Sequence, residues 1–477
     1  MPSPDHAPRP HASLRSAWLP MTGLAAVFLV EMLDNSILNV ALPSIGRELG
    51  ASTAALQWIT LTYSVVFGGL MIALGGLADR FGRRRMMFVG LTILATASLS
   101  VLLVTEVWQL IAIRAVTGVA AAMTAPGSMA LAFRLFATDE LRVRGMNIIA
   151  TVGLVGMAVG PVAGGMILAI APWQALLAMN APIALLAFAA IAKGIAADRP
   201  ADLHRAPIDI TGSLLGTAAI MGVMLVPTAF TEAGAASPLP WVTVAGSAIA
   251  AVLFVVRERS ATHPIIELEL IARPLVASGL LFKAAASLAV GALGYLVTLH
   301  LQLSLGWSPA QAALGMLPQV VVLIAGGALV TPLVAHVGMT QAARYASTLI
   351  VAGLAVYGLL GTRSYLWIAL ALTLVALGMR VVAVVAGTNV MRGLPENRTS
   401  VGAALADTAG QVGTAVGLAL AGTTLTALFA GSLAASSWSP DQYAEFDTAV
   451  TVAGAVLAAV TALLVGAGLW LSRKSER

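Results

Sequence analysis

The chain contains no cysteine, and only 10% of its 477 residues are charged. The first absence excludes disulfides, thiol nucleophiles and cysteine-ligated metal. The second excludes an ordinary soluble domain, whose surface takes roughly 25% charged residues. Also missing are a Walker-type phosphate loop, a cluster of metal-ligating side chains, a nucleophile with a base beside it and a soluble sensor domain. An ATP-driven pump, an enzyme and a membrane receptor are therefore not expected, and neither metal nor cofactor is implied.

What is there is apolar. Hydrophobic residues make up 59% of the chain and the mean hydropathy is +0.93. A helix that crosses the roughly 30 Å hydrocarbon layer needs about 20 such residues. Runs of that kind cover 18–43, 55–77, 86–104, 108–133, 146–170, 174–192, 210–229, 240–257, 275–303, 311–334, 343–361, 365–390, 399–430 and 448–471, fourteen in all. The alternating pattern of a barrel is absent, and lipid does not tolerate unpaired backbone, so the runs are read as helices. The abundant Gly and Ala allow those helices to pack closely.

Basic residues collect in cytoplasmic loops and so set orientation. With the N-terminus inside, 21 of the 26 Lys and Arg fall in cytoplasmic tails and loops. Both termini are therefore expected in the cytoplasm. The net charge of +5 is a topology signal and gives no support for a nucleic-acid partner. The first run is too long for a cleaved secretory segment and is read as a retained helix. Arginine greatly outnumbers lysine, which suggests a GC-rich bacterial genome.

The most polar internal stretches divide the chain. The expectation is a cytoplasmic tail over 1–17, a six-helix bundle over 18–192, a linker over 193–209, two extra helices over 210–257, a linker over 258–274, a second six-helix bundle over 275–471 and a tail over 472–477. Residues 432–447, with Trp438, Pro440 and Tyr443, form the longest outer loop in this reading. The fold class is an all-α integral membrane protein with two six-helix bundles and two additional central helices.

The loop Gly75-Gly76-Leu77-Ala78-Asp79-Arg80-Phe81-Gly82-Arg83-Arg84-Arg85 packs four arginines between two apolar runs. The first span carries Leu33-Asp34-x-x-Ile37-x-Asn39-Val40-Ala41-Leu42-Pro43, the fourth Arg114-x-x-Thr117-Gly118, and the fifth Gly156-x-x-x-Gly160-Pro161-x-x-Gly164-Gly165. Gln57-Trp58 with Tyr63, Asn180-x-Pro182, Asp209-x-x-Gly212, Tyr295, the stretch 302–318 and the stretch 402–417 add to the pattern. In this order, over nearly the whole chain, the sequence resembles the major facilitator superfamily. Within it, the resemblance is to the fourteen-helix drug/proton antiporters that export antibiotics, antiseptics and quaternary ammonium compounds.

That resemblance implies alternating access between two bundles, proton coupling, a small amphipathic or antibiotic-like substrate, contact with membrane lipid and a monomer in the bacterial cytoplasmic membrane. Three departures bear on substrate range: Thr117 stands where glutamine is usual, Gln174-Ala175 where Arg-Trp is common, and Gly410 where arginine is frequent. A proton-coupled or facilitative transporter of one metabolite or lipid-like solute is the alternative, which the fifth-span glycines and first-span acids disfavour.

Ionisable side chains inside a membrane are costly and mark ion or substrate pathways. Six qualify: Glu31, Asp34, Arg114, Lys283, Arg380 and Asp407. On the first span, Glu31, Asp34, Asn35 and Asn39 share one broad helical face that suits a cavity wall. Asp34 and Arg114 lie at matching depths and can pair. Glu31 and Asp34 are expected to bind a proton or a cationic substrate in competition, with Arg114 tuning them; a fixed structural salt bridge is the other reading of Asp34 and Arg114. Arg380 and Asp407 are expected to neutralise one another as a structural pair.

Lys283 shares a stripe with Ser287, Gly291, Tyr295, Thr298 and Gln302, so it either repels cations or attracts an acidic group. His300 falls on another side of that helix and is read as structural. Trp58 and Tyr63 either stack on a ligand or pack. With Asn35, Asn39, Lys283, Tyr295, Gln302, Asp407 and Gln411 they complete the expected cavity. Gly156, Gly160, Pro161, Gly164 and Gly165 are expected to form a hinge and a close helix contact. Gly75, Asp79, Arg80, Gly82, Arg83 and Arg84 are the expected gate, with Asp79 latching onto Arg134, Arg142 or Arg144. Asp209 is expected to cap a helix start.

Overall fold

The structure is a computed structural model, and it describes residues 13–136, 138–198, 209–234, 236–261, 268–326, 336–394, 399–431, 433 and 438–475. Regular structure among the described residues is helical. In chain order the helices are α1 (Trp18–Leu49), α2 (Thr53–Phe81), α3 (Arg83–Ser100), α4 (Val107–Arg134), α5 (Asp139–Leu168), α6 (Trp173–Ala178), α7 (Asn180–Gly194), α8 (Ile210–Ala233), α9 (Pro238–Ser260), α10 (Leu268–Ala272), α11 (Pro274–Leu299), α12 (Pro309–Gly315), α13 (Leu317–Ala325), α14 (Met339–Leu360), α15 (Tyr365–Gly393), α16 (Thr399–Leu428) and α17 (Pro440–Ser475).

Eleven helices among the described residues are long and apolar enough to cross a membrane, and thirteen are if the two sharply bent ones, α1 and α5, each count as one span. Of the fourteen expected spans, the one over 311–334 begins as α12 and α13 and then enters residues 327–335, outside the described residues. The expected outer loop over 432–447 is shorter than its sequence suggests, because α17 starts at Pro440. Ser439 and Gln442 cap each other's backbone there, Gln442 N–H to Ser439 Oγ at 3.3 Å and Ser439 N–H to Gln442 Oε1 at 2.9 Å. Proline at the first helical position fits such a start. Trp438 folds inward against Phe429, with ring centroids 4.6 Å apart.

The two bends have local causes. α1 turns by 41° between Asp34 and Ser36. The Ser36 hydroxyl donates back to the carbonyls of Met32 at 3.2 Å and Leu33 at 3.1 Å, an insertion that loosens a helix. α5 turns by 42° between Met157 and Val159. Pro161 removes the donor that the Met157 carbonyl would accept from and crowds it, which kinks a helix at that level.

Glycines bring α1 and α5 together. A Cβ at Gly156 would meet Leu29, and one at Gly160 or Gly164 would meet Ser36 or Ile37, so nothing larger fits along that face. Gly165 instead faces Pro309 and Ala313 of α12. Helices before residue 199 and helices after residue 268 thus touch at the end of the molecule remote from the arginine-rich loop. One apolar cluster runs across that contact, from Ile37 and Leu42 on α1 to Leu296 and Leu299 on α11.

At the arginine-rich end, a Cβ at Gly75, Gly76 or Gly387 would meet open space. The close contact at Gly165 thus lies at the remote end. α8 packs beside α2, α9 and α16. Its Thr217 hydroxyl donates to the Gly69 carbonyl at 2.8 Å. Asp209 caps α8 as expected, accepting from Gly212 N–H at 2.9 Å, and it also pairs with Arg257 of α9 at 2.8 Å. That guanidinium, more than any other cause, holds the Asp209 carboxyl below the usual carboxylate range.

Candidate interior binding site and arginine-rich gate

α1 and α4 place their ionisable residues together in the first half of the molecule. Asp34 and Arg114 are each 2% exposed and form a direct ion pair. The second Asp34 oxygen accepts from Asn180 Nδ2 at 2.8 Å. Arg114 Nε donates to the Ile59 carbonyl at 3.3 Å, and its guanidinium lies 4.5 Å over the Tyr63 ring. Both Asp34 oxygens are thus occupied and the charge of Arg114 is matched, the condition under which a buried pair is tolerated. The sequence put Asp34 and Arg114 at one depth; Asn180, from the start of α7, is a partner that a motif match alone did not assign. Tyr63 is a floor for Arg114, so the cation stacked on it is the protein's own.

Glu31 lies one turn earlier on α1, 7% exposed. It shares the neighbourhood of Tyr63 with Asp34 and Arg114. The charges of Asp407 on α16 and Lys283 on α11 bear on it from the other half. Glu31 therefore sits where the two halves face each other, while Asp34 is turned into the first half. Asn39 Oδ1, Tyr295 Oη and Gln411 Oε1, three members of the expected cavity, are buried and have no hydrogen-bond partner within the protein. Buried polar atoms of that kind usually answer to water, a ligand or a function. Trp58 is half-buried on α2, and the Asn35 side chain is outside the described residues.

Two expected contacts come out differently. Arg380 and Asp407 are not brought together: among the described residues they form no ion pair, and the charge bearing on Asp407 is that of Lys283. The reason is helical phase. Asp407 shares a face with Gly410 and Gln411, and Gly410 abuts Lys283 of α11. Arg380 shares its face of α15 with Gly387, which opens onto space. Gln302, expected in the cavity, donates to the Val40 carbonyl of α1 at 3.0 Å and so belongs to the remote closure. It stands in a π-helical turn, His300–Ser304, where the ladder of α11 slips by one residue. His300 is buried beside Tyr357, with Nδ1 3.5 Å from the phenol oxygen, in keeping with a structural place.

Gln57 was expected only as part of a motif, yet it ties three helices together. Its Nε2 reaches Thr228 of α8 at 3.3 Å and the Ala419 carbonyl of α16 at 3.4 Å. Gln57 and Gln302 are thus cross-half contacts at the remote end.

At the arginine-rich loop, the Asp79 side chain lies outside the described residues. Of its three expected partners, Arg144 pairs with Glu140 at 2.8 Å and Arg142 donates to the Phe136 carbonyl at 3.0 Å. A different acid holds the loop. The Asp198 carboxylate accepts from the N–H groups of Arg84 at 3.3 Å and Arg85 at 3.2 Å, capping α3. Arg84 also donates to the Ala192 carbonyl at 2.9 Å. Gly82 has φ +105°, and a Cβ there would strike the Asp198 carboxylate, so glycine is required twice over. Asp198→Ala is expected to lower the stability of the purified protein by about 1 kcal/mol, the usual cost of a lost N-terminal cap. Thermal melting of the purified variant checks it.

Comparison with known proteins agrees with this architecture. A family model described as Major Facilitator Superfamily matches residues 24–418. The cephamycin export protein CmcT of Amycolatopsis lactamdurans is 36% identical over 338 residues, covering 70% of this chain and 68% of that protein. The puromycin resistance protein pur8 of Streptomyces alboniger is 30% identical over 95% of this chain and 89% of its own. The multidrug efflux pump LfrA of Mycolicibacterium smegmatis is 29% identical over 87% and 82%. Among solved structures, a POT family transporter in complex with a thioalcohol conjugated peptide superposes with a TM-score of 0.67 over 96% of each chain at 14% identity, a likeness of fold.

Proposed function

The chain belongs to the major facilitator superfamily, and from that premise we propose that it is a proton-coupled exporter of drugs or antibiotic-like compounds. The observation that carries the reading is the placement of Glu31: buried on the first membrane helix, one turn before the Asp34–Arg114 pair, with the charges of Asp407 and Lys283 from the other half around it. A proton and an organic cation satisfy the same negative charge, so a carboxylate that meets both faces of an alternating cavity exchanges one for the other. Similarity to proteins named for antibiotic export and multidrug efflux supports the direction of transport.

In this mechanism the cavity opens beside the arginine-rich loop, taken as the cytoplasmic side, and receives the compound from the cell. Asp34, Arg114 and Asn180 form the rigid wall that holds α1, α4 and α7 in register around Glu31. The helices then rock, the contacts of Gln57, Gln302 and Gly165 part, and the compound leaves as a proton arrives. The α5 kink at Pro161 and its glycine face against α1 give the pivot its close fit. The protein works in the bacterial cytoplasmic membrane with both termini inside, as a monomer.

The test is efflux of preloaded ethidium from cells producing the protein, with and without a protonophore. Efflux above the vector control that stops when the proton gradient is collapsed is the expected result. Efflux that continues after collapse would overturn proton coupling.

A further inference from the structure

α1 and α5 run in parallel, and glycines bring them together over their later turns. The earliest of those contacts set Gly153 against Phe28 and Gly156 against Leu29. Carrying the Leu29–Gly156 register toward the arginine-rich end sets Val152 level with Ala25, Ile148 with Met21 and Arg144 with Ala17. There α5 holds Ile and Val where its later turns hold glycine, so the two helices splay. A crevice of about 410 Å³ results, with Leu14, Trp18, Met21 and Ala25 on one side and Ile148 and Val152 on the other, and it reaches inward to Leu29.

The walls of this crevice and its mouth differ in kind. The only hydroxyl on the walls, that of Thr22, is already used, since it donates to the Trp18 carbonyl at 2.8 Å. From Trp18 to Leu29 α1 rises about 17 Å, close to the roughly 15 Å depth of one leaflet. At the mouth stand two exposed arginines. Arg15 lies in the turn between Leu14 and Trp18, and Arg144 continues the stripe of Val152 and Ile148 on α5 by one more turn. Trp18 is 63% exposed beside them, a residue type that settles at the level of lipid headgroups. Glu140 pairs with Arg144 at 2.8 Å, but both side chains are mostly exposed, and a pair of that kind is weak enough for a phosphate to displace.

We propose that this crevice binds an anionic phospholipid of the leaflet on the arginine-rich side, with one acyl chain between α1 and α5 and the phosphate between Arg15 and Arg144. An apolar trench one leaflet deep that ends between two guanidinium groups matches an alkyl chain with a negative head. An organic cation meets the wrong charge at the same mouth. At a membrane surface each arginine favours an anionic head several-fold, and two together favour it over a zwitterionic head by roughly 30-fold. The lipid fills the splay that the glycine contacts leave below them, and so braces α1 against α5.

The experiment uses the purified full-length protein in detergent, with dioleoyl phosphatidylglycerol or dioleoyl phosphatidylcholine added, and reads retained lipid by native mass spectrometry and stability by thermal melting. The wild type is expected to retain one phosphatidylglycerol at a concentration roughly tenfold or more below that needed for phosphatidylcholine, and to melt higher with it. Arg15→Gln combined with Arg144→Gln is expected to melt as the wild type does without lipid and to lose the preference. Glu140→Gln, which removes the competing acid, is expected to sharpen it. Ile148→Trp, at a position 42% exposed, is expected to fill the crevice and to lose the retained lipid of either kind. The proposal is overturned by equal retention of the two lipids in the wild type, by a preference that survives loss of both arginines, or by an Ile148→Trp protein that keeps its lipid. Glycerol 3-phosphate that protects as well as the whole lipid would reduce the site to a phosphate contact, and ethidium that displaces the lipid would make it a path for solute; either result overturns the proposal.

Discussion

Arg114→Met is expected to give a protein that neither exports dye nor withstands mild heating. The substitution leaves the Asp34 carboxylate buried beside Asn180 with no counter-charge. Breaking one side of a buried pair costs about 3–5 kcal/mol, whereas replacing both sides with apolar groups is often close to neutral. Arg114→Met combined with Asp34→Leu is therefore expected to recover most of the lost thermal stability. Export by the double variant decides between the two readings of the pair. If stability returns and efflux does not, the pair takes part in the transport cycle; if both return, it is a structural rivet. Melting of the purified variants and ethidium efflux from cells are the two measurements.

Glu31→Gln carries the second large effect. The amide keeps the size of the side chain and removes the exchangeable negative charge, so the fold is expected to melt as the wild type does. Proton-driven efflux is expected to fall to the level of cells without the protein. Exchange of labelled for unlabelled compound in liposomes, which needs no net proton movement, is expected to persist at a reduced rate. Export against a gradient with proton coupling unchanged would remove Glu31 from the mechanism. Asp34→Gln is a poor substitute for this test, because Asp34 is engaged on both oxygens and its loss changes the architecture around Arg114.

The transmembrane character, the order of the apolar spans and the pairing of Asp34 with Arg114 were legible because each depends on one-dimensional quantities: run length, polarity and depth along a helix. What was not legible depends on phase between helices. Arg380 and Asp407 lie at similar depths, which made them look like partners, yet they lie along different faces, and the Lys283 stem lies beside Gly410, one turn from Asp407. Gln302 lay on the cavity stripe only for a regular helix. The π-helical turn over His300–Ser304 advances the ladder by one residue and sends its side chain to Val40. Asp198 was readable as one acid in a polar linker. Its role as the cap of α3 follows from Gly82 leaving room for it, a matter of three-dimensional approach.

α8 has one more consequence. A carrier made of two halves presents two flanks to the bilayer, and α8 lies along only one of them, bound to Gly69 of α2 and, through Gln57 and Thr228, beside Ala419 of α16. Met221 and Met224 fill the spaces over Gly69 and Gly68. The molecule is therefore sided. An oily solute dissolved in the bilayer meets a shuttered wall at this flank.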